Sequence, residues 1–537
     1  MRRMFVLVLV VGLIAAACGD DGGGLFTTTT GGGSTPTSAT TSSTSTTGAG
    51  FEYPTQIVDA YVDGCAVDGT QEFCRCTIDE FQLRMSLQDF LDLEQSGEIE
   101  SNPVVTEIVE ICQRSAGGTT TTTQVGGFEP ITDPNTLIEL AISDLEAFWS
   151  AGMPEVWDVD YTPVSAYGPY IISEGDVPVC GGPLQPEQYQ GNAFYCSLND
   201  TVQWDLEGLI APLWTEYGDF TVALVMAHEW GHAVQERFGF DDSLPTIVSE
   251  LQADCLAGAW TGRIEREESD ILRLDPGDLE EGMAGFILIG DSLGSAPTGP
   301  NAHGNAFARL SAFYDGYSLG AGHCATFEAS PPPFYHLALG EDGVVDLPYA
   351  EAATFLADAL EAFWDLVYPE VFGTAWDPVD ATIPVFPSSG EYPTCGGFTP
   401  EREFFEGNAF YCPPDDYVAW DEEQLFPALY TEIGDFALGL VLATQWHEAV
   451  QYKAGVDTEG VAATLQRDCL TGVWTAALTF DDNPTGIILT AGDLDEGISG
   501  FLATSAPAGT EGYASAFQRF ESFKDGFLNG IDVCGLP

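Results

Sequence analysis

An internal repeat constrains the architecture of this chain more than any other feature of the sequence. GNAFYC at 191–196 recurs at 407–412, and several other segments recur with an offset of 210 to 216 residues. Similarity at a nearly fixed spacing indicates two copies of one structural unit. We therefore predict tandem domains at 128–325 and 345–537, joined by a linker at 326–344.

The N-terminus has the pattern of an export signal. Two arginines precede an apolar run that is too short to span a bilayer, and three alanines then precede Cys18. We predict a signal peptide at 1–17 and, because the pattern resembles a bacterial lipobox, lipid on Cys18. The alternative is a plain signal peptide with a free cysteine nearby. The protein is expected to be exported and held by this lipid on the cell membrane, facing outside the cytoplasm.

The next part of the chain divides into tethers and one small unit. The stretches 18–50 and 116–127 are rich in Thr, Ser and Gly and cannot bury enough apolar area to offset chain entropy, so they are predicted linkers. Between them, 51–115 places apolar residues at helical spacing. We predict a small helical domain that needs disulfides because its core is small.

The thirteen cysteines divide in a way that supports these boundaries. One is Cys18, and each of the three predicted domains holds four, which in an exported chain favours disulfides over metal thiolates. The sequence favours one pairing in the repeated domains and leaves other connectivities open. The disulfide candidates are Cys65, Cys74, Cys76 and Cys112 in the small domain, and the pairs Cys180–Cys196, Cys255–Cys324, Cys395–Cys412 and Cys469–Cys534 in the two copies.

Composition excludes one class of partner. The chain has 15 Lys+Arg against 83 Asp+Glu, with a formal net charge of −68. Binding to nucleic acid depends on Lys and Arg contacts with phosphate, so no nucleic acid partner is expected. The hydrophobic fraction of 45% is nevertheless sufficient for packed cores.

The first copy carries a metal-binding motif. Residues 228–232 read HEWGH, within an apolar stretch of helical length that ends at Gly239. On a helix, His228 and His232 lie one turn apart on the same face, where two imidazoles can chelate one Zn²⁺. Glu229 is then placed to act as a general base. The alternative is a helix with two structural histidines.

Two further acidic residues follow on a second predicted helix. Glu250 and Asp254 are four residues apart, so they share one helix face. Together with HEWGHAVQ, the segments SELQADCLAGAW and, at 302–317, AHGNAFARLSAFYDGY resemble the predicted neutral zinc metallopeptidases of bacteria, in the gluzincin class. The resemblance covers about 128–325. It implies a zincin-like fold with an antiparallel edge strand above the active-site helix.

The resemblance also implies roles for individual residues. Glu250 would be the third ligand of one Zn²⁺, and Asp254 would accept a hydrogen bond from a ligand histidine. Glu229 would take a proton from water during hydrolysis of a peptide or protein substrate, with endopeptidase action expected. His303 would donate to the oxyanion, although a histidine in a surface loop is the alternative.

The second copy serves as an internal control. It keeps the surrounding sequence of the first copy but has different residues at every proposed ligand position and at the position of the general base. Opposite His228, Glu229, His232, Glu250 and His303 stand Thr444, Gln445, Glu448, Thr464 and Tyr513. Because Asp468 and Arg519 persist there without the metal residues, their counterparts Asp254 and Arg309 could also be structural.

The sequence therefore predicts an α+β protein with two tandem zincin-like metallopeptidase domains, of which the second is inactive, and a small helical domain before them. Docking against the first copy, holding substrate and occluding the site all remain open as roles for the second copy. The rival hypothesis is a non-catalytic surface lipoprotein that uses both zincin-like domains as binding scaffolds. The intact residue set of the first copy favours the enzyme.

Overall fold

A computed structural model describes Thr77 and residues 131–536, apart from 183, 292–302, 334–336, 338–345, 481–482, 484 and 511. The predicted signal peptide with Cys18, the linkers at 18–50 and 116–127, and the small domain with its four cysteines lie outside the described residues, except for Thr77. From residue 131 onward, the described residues belong to one compact unit, Gln124–Pro537.

The first half of this unit runs from a long helix through a small sheet to a set of packed helices. Capping residues set the ends of these helices. Asp133 accepts a hydrogen bond from the Thr136 amide at 3.0 Å at the start of the first helix. Gly239, with φ of 83°, ends the helix that carries His228 and His232. The elements are, in order, α1 (Pro134–Trp157), β1 (Ala166–Tyr170), α2 (Pro186–Tyr189), β2 (Ala193–Cys196), β3 (Thr201–Asp205), α3 (Ala211–Glu216), α4 (Asp219–Phe238), α5 (Thr246–Glu265), α6 (Asp278–Ile289), α7 (Ala306–Leu319) and α8 (Ala321–Cys324).

Nearly the same order of elements returns in the second half. A 3₁₀ turn, Ile531–Cys534, takes the place of α8. The elements are α9 (Tyr349–Phe372), β4 (Ala381–Val385), α10 (Arg402–Phe405), β5 (Ala409–Cys412), β6 (Tyr417–Asp421), α11 (Leu425–Glu432), α12 (Asp435–Ala454), α13 (Gly460–Ala477), α14 (Asp493–Thr504) and α15 (Ala516–Asn529). Helices with small separate sheets make this an α+β fold, as predicted.

Each half contains a three-stranded sheet with mixed pairing. In the first half the strand order is β1-β3-β2, with β1 parallel and β2 antiparallel to β3. The second half repeats this arrangement as β4-β6-β5. In the first sheet the antiparallel strand β2 lies at the edge and packs against α4. This is the edge strand that the family resemblance implies.

Helix α4 is the buried centre of the first half. Helices α1, α5 and α6 and strand β2 pack around it. Most of its residues are buried, because apolar side chains cover nearly every face, as expected of a helix enclosed by other elements. The side chains that it presents to its neighbours are therefore held on a rigid support.

Helices α5 and α7 approach each other closely enough to exclude side chains at the crossing. A Cβ atom added to Gly316 would lie 1.7 Å from the carbonyl oxygen of Cys255, and one added to Gly258 would lie 1.9 Å from that of Phe313. Gly526 occupies the same kind of position in the second half. Only glycine permits this backbone contact.

Four disulfides join distant segments of the described chain. They link the pairs expected from the sequence, two in each half: Cys180–Cys196, Cys255–Cys324, Cys395–Cys412 and Cys469–Cys534. In the first half one bond fixes the end of β2, and the other ties α5 to α8. Cross-links of this kind stabilise a fold chiefly by restricting the unfolded chain.

The two halves contact each other through α6, α7, α14 and α15. Asp495 of α14 accepts a hydrogen bond from the Phe307 amide at the start of α7, at 3.0 Å. Glu280 of α6 accepts one in the same way from the Phe517 amide at the start of α15, at 3.2 Å. The rings of Tyr314 and Phe517 stack, with centroids 4.2 Å apart. Each half therefore caps a helix of the other.

None of the helices in the described residues combines the length and apolar character needed to cross a membrane.

Candidate metal centre

Three predicted ligands converge between α4 and α5. The Nε2 atoms of His228 and His232 face each other at 3.1 Å. The Glu250 carboxylate lies beside both, with one oxygen 3.3 Å from Nε2 of His228 and the other 3.6 Å from Nε2 of His232. One ligand atom from each residue falls within 4.8 Å of the other two, so the three side chains could hold a single ion.

Hydrogen bonds on the far side of each ring fix which nitrogen faces the centre. Nδ1 of His228 lies 2.7 Å from Oδ1 of Asp254, and Nδ1 of His232 lies 2.8 Å from Oε1 of Gln235. The amide nitrogen of Gln235 donates to two oxygens of α5, so its Oε1 is the acceptor toward the ring. In the neutral rings the proton is therefore on Nδ1, and both Nε2 lone pairs point inward.

These atoms fit a bound cation. Two nitrogen lone pairs and a carboxylate repel one another without positive charge between them, and Oε2 of Glu250 is buried without a hydrogen-bond partner. Burial acts to lower the pKa of His228, but Asp254 and Glu250 outweigh it and raise the pKa to about 10. The site thus favours positive charge. Two imidazoles and one carboxylate suit zinc, and three protein ligands are typical of a catalytic site.

Glu229 lies next to this centre, against the edge strand. Its Oε2 accepts a hydrogen bond from the Tyr195 amide at 2.7 Å. Because alternate residues of an edge strand turn their backbone groups away from the paired strand, Ala193 presents its amide and carbonyl to the same side as Tyr195. The base candidate and a row of backbone groups therefore face one space.

Asp254 has two contacts, and the second one accounts for its persistence in both halves. Besides the ligand histidine, it binds Arg309 through two hydrogen bonds of 2.8 Å. Arg309 is 3% exposed and also donates to the Ile289 carbonyl, so it braces the fold rather than meeting a substrate. Asp468 and Arg519 form the same pair at 2.9 Å in the second half.

His303 lies at the rim of the same space. Its ring is about half exposed, and its Nδ1 lies 3.3 Å from Oδ1 of Asp291. The other oxygen of Asp291 accepts hydrogen bonds from the amides of His303 and Gly304, at 2.9 and 2.8 Å. One carboxylate therefore positions both the loop and the ring.

The space that these residues share is an open cleft of about 970 Å³. His228, Glu229, His232, Glu250 and His303 all line it. Its walls combine the backbone of β2 with apolar side chains from α3, α4 and α6 and with carboxylates near the rim. An extended chain has room to lie beside the metal centre.

Sequence reasoning missed two contributors to this geometry. Gln235 orients His232, and it returns as Gln451 in the second half, where Glu448 replaces the histidine. The repeat therefore marks this glutamine as a fold residue and gives no signal for its contact with His232. In the second half Gln451 makes the equivalent contacts with Ala463 and Gln466. The Tyr195 contact uses a backbone amide, which carries no side-chain signal at all.

The second half does not reproduce the metal centre in the part that the structure describes. Thr444 donates to a carbonyl of its own helix at 3.0 Å, and Glu448 lies 3.9 Å from Arg467. His447 is fully buried beside Thr471, and burial lowers its pKa to about 3. A neutral, enclosed histidine of this kind is part of the core.

Comparison with known proteins agrees with this geometry. Residues 180–327 match the sequence model of the family described as "Putative neutral zinc metallopeptidase". The "Uncharacterized protein YpfJ" of Escherichia coli K12 is 32% identical over 161 residues, which cover 26% of this chain and 54% of that protein.

A second relative is the "Uncharacterized protein Rv2575" of Mycobacterium tuberculosis H37Rv. It is 28% identical over 170 residues, which cover 27% of this chain and 58% of that protein. The chain thus spans little more than half the length of the curated relatives it matches. No solved structure matches it.

Proposed function

We propose that this protein is a zinc-dependent peptidase with a single catalytic centre in its first half. The observation that carries the proposal is the convergence of His228, His232 and Glu250, with both ring lone pairs turned inward by partners on the far side. The family match over 180–327 supports it, because all three side chains fall within that segment.

Zinc bound there would supply Lewis acidity, which lowers the pKa of water and polarises a carbonyl group. Glu229 would accept the proton of the attacking water and later pass it to the leaving amine. Its bond to the Tyr195 amide, at 2.7 Å, holds one carboxylate oxygen and leaves the other free for this transfer. His303, positioned by Asp291, would donate to the oxyanion.

The edge strand suggests how a substrate binds. Ala193 turns its amide and carbonyl away from β3, and Tyr195 turns its carbonyl the same way, while the Tyr195 amide is held by Glu229. An extended peptide can add to the free groups of such an edge as a further strand. The cleft, at about 970 Å³, has room for several residues of such an extended segment. The substrate class is therefore an extended peptide or protein segment, and the expected activity is that of an endopeptidase.

The second half is proposed to be an inactive copy of the same zincin-like domain that supports the first. Asp495 caps the start of α7, and α7 carries Arg309, which holds Asp254 against the ligand histidine. Through this chain of contacts the second half would support the active centre.

Export and lipid anchoring remain part of the proposal. They are supported by the signal pattern before Cys18 and by the four described disulfides, which need an oxidising compartment. Cys18→Ala should move the protein from the membrane fraction to the soluble fraction, and mass spectrometry of the N-terminal peptide should identify the lipid on the wild type. An unmodified N-terminus would contradict the anchor.

The decisive test combines zinc content with cleavage. The full chain should bind one zinc ion and cleave members of an unbiased peptide library. Glu229→Gln should keep the zinc and reduce kcat by about 10²-fold or more. The matched control is Gln445→Glu, which exchanges the same two amino acids in reverse at the equivalent position of the second half. This variant should neither bind additional zinc nor change cleavage.

Each outcome decides between the candidate functions. Absence of bound zinc, or equal cleavage by wild type and Glu229→Gln, would refute the peptidase. Zinc binding without cleavage of any library member would instead favour a lipoprotein that uses its domains as binding scaffolds.

A further inference from the structure

We infer that the disulfide between α5 and α8 is a positioning element of the zinc centre, which acts on the ring of His232 through two buried glutamines. These are Gln235 of α4 and Gln252 of α5, and we call the chain of hydrogen bonds that they form the glutamine relay. Gln252 and the Cys255–Cys324 bond thereby serve metal binding as well as folding. The inference rests on the proposed function, because it concerns a ligand of the proposed zinc ion.

The glutamine relay connects the ligand ring to α8 through consecutive hydrogen bonds. Oε1 of Gln235 lies 2.8 Å from Nδ1 of His232. Nε2 of Gln235 donates to Oε1 of Gln252 at 3.0 Å, and Nε2 of Gln252 donates to the Cys324 carbonyl at 3.0 Å. Gln235 and Gln252 are only 4% and 0% exposed, so water cannot replace a lost partner without entering the core.

Backbone carbonyl groups fix the direction of these hydrogen bonds. A carbonyl oxygen can only accept, so a glutamine that contacts one must turn its NH₂ group toward it. Gln252 contacts the Cys324 carbonyl in this way. Gln235 contacts the Ser249 carbonyl, at 2.7 Å. Oε1 of Gln235 is therefore left to accept the Nδ1 proton of His232, which keeps Nε2 of the ring available to zinc.

The disulfide holds the far end of the glutamine relay in place. Cys255 lies three residues after Gln252 on α5 and thus on the same side of that helix. It is bonded to Cys324, the last residue of α8, with the two Cα atoms 5.6 Å apart. Helix α8 has only four residues, a length that is marginal by itself. Without the covalent bond, the Cys324 carbonyl would be held less firmly against Gln252, and the relay would loosen at His232.

The second half repeats the relay without a metal ligand at its end. Gln451 donates to Gln466 at 2.8 Å. Gln466 in turn donates at 3.0 Å to the carbonyl of Cys534, which belongs to a disulfide of that half. Oε1 of Gln451 accepts a hydrogen bond from Arg467 at 3.1 Å. Because a guanidinium can only donate, Gln451 has the same orientation as Gln235.

The two halves thus share one structural element, and only the first half uses it to orient a metal ligand. The relay presents an acceptor oxygen at the same point of α4 and of α12. In α4 this oxygen meets His232, whereas in α12, where Glu448 replaces the histidine, it meets Arg467. Removal of equivalent parts should therefore have similar effects on stability but different effects on zinc binding.

The first test removes one disulfide from each half of the full chain. C255A/C324A and C469A/C534A open loops of nearly the same length, since the bonded residues are 69 and 65 positions apart. Both variants should therefore lose a similar amount of unfolding free energy. Zinc affinity is measured by competition with a chromophoric chelator. It should fall about fivefold in C255A/C324A, as expected for one weakened hydrogen bond, and stay unchanged in C469A/C534A.

A second set of variants keeps all disulfides and changes the glutamines. Gln252→Leu removes both hydrogen-bonding groups from the middle of the relay and should weaken zinc binding about fivefold. Gln235→Leu removes the direct partner of the ring and should weaken it by about 10–100-fold. Gln466→Leu makes the equivalent change in the second half and should bind zinc as the wild type does.

A spectroscopic measurement distinguishes positioning from a general softening of the fold. In the zinc-loaded wild type, the Nδ1 protons of both ligand histidines should exchange slowly with water in ¹⁵N NMR, because each is hydrogen-bonded. His228 is held by Asp254 and not by the relay. In Gln252→Leu, the Nδ1 proton of His232 should exchange faster while that of His228 is unchanged.

The outcomes are distinguishable from failure of the proposed function. Zinc affinity and proton exchange are measured without cleavage, so the absence of peptidase activity would leave the result intact. Wild-type affinity in both C255A/C324A and Gln252→Leu would overturn the inference. An equal loss of affinity in C255A/C324A and C469A/C534A, or equally faster exchange of both ring protons, would also overturn it. A wild type that bound no zinc would refute the inference together with the proposed function.

Discussion

The two buried Asp–Arg pairs allow the role of the metal-orienting carboxylate to be separated from its role in folding. Asp254 binds Arg309 at 2.8 Å and Asp468 binds Arg519 at 2.9 Å, in matching geometry. Only Asp254 also holds a ligand histidine, at 2.7 Å. We expect Asp254→Asn and Asp468→Asn to destabilise the fold alike but to affect zinc differently.

The contacts in the structure and the usual magnitudes for such contacts set the size of both effects. Each substitution leaves a buried guanidinium without its counter-charge, which costs about 3 kcal/mol of unfolding free energy. Loss of the partner that orients a ligand histidine weakens metal binding by about 10–100-fold, or roughly 1.4–2.8 kcal/mol. Asp254→Asn should show both losses, and Asp468→Asn only the first.

Two measurements check this prediction on the full chain. Urea denaturation in the presence of a chelator gives the unfolding free energy of the metal-free protein, and competition with a chromophoric chelator gives the zinc affinity. If Asp468→Asn weakened zinc as much as Asp254→Asn, the effect would be a general softening of the fold. If neither weakened it, the hydrogen bond to His228 would have no orienting role.

Two further predictions concern stability. Gly316→Ala should lower the unfolding free energy by about 3 kcal/mol or more, because the new Cβ would lie 1.7 Å from the Cys255 carbonyl oxygen. Gly322→Ala, which adds a Cβ in open space, should lower it by less than about 1 kcal/mol. Equal melting temperatures of the two variants would contradict the close contact. Burial and neighbouring carboxylates raise the pKa of Glu281 to about 8 and that of Glu496 to about 9, from 4.5. The folded protein therefore retains protons that the unfolded chain releases, so its unfolding free energy should fall as pH rises from about 5 to 8. The double variant E281Q/E496Q should flatten this fall, because each group contributes up to about 1.4 kcal/mol per pH unit between its unfolded and its folded pKa. Urea denaturation at several pH values measures the slope, and an unchanged pH dependence would show that these carboxyl groups do not cause it.

The sequence predicted those parts of the centre that depend on local spacing. His228 and His232 are one turn apart on a single helix, and Glu250 and Asp254 one turn apart on the next, so helical periodicity alone brings each pair to one face. The α+β class followed from the family resemblance, and the disulfide pairs from the placement of cysteines in both copies.

Other parts depended on contacts that sequence spacing does not encode. Arg309 lies 55 residues from Asp254 along the chain, and only the packing of α7 against α5 brings them together. The edge-strand amide of Tyr195 acts through the backbone, which any residue could supply. Which face of each half would meet the other was also beyond reach, because both halves carry apolar residues on several helix faces.

The reciprocal caps by Asp495 and Glu280 have a consequence for how one half could lose its metal centre. In a two-fold symmetric dimer the interface is isologous, which means that equivalent residues of each subunit make the same contact with the other subunit. The two carboxylates make such a pair of contacts between the halves. In a dimer of identical chains, every substitution in one active site also appears in the other. With both subunits in one polypeptide, one site can diverge while the pseudo-symmetric interface is kept. If the second half is the inactive copy proposed above, covalent fusion lets this molecule carry one intact centre and one altered centre on either side of the same interface.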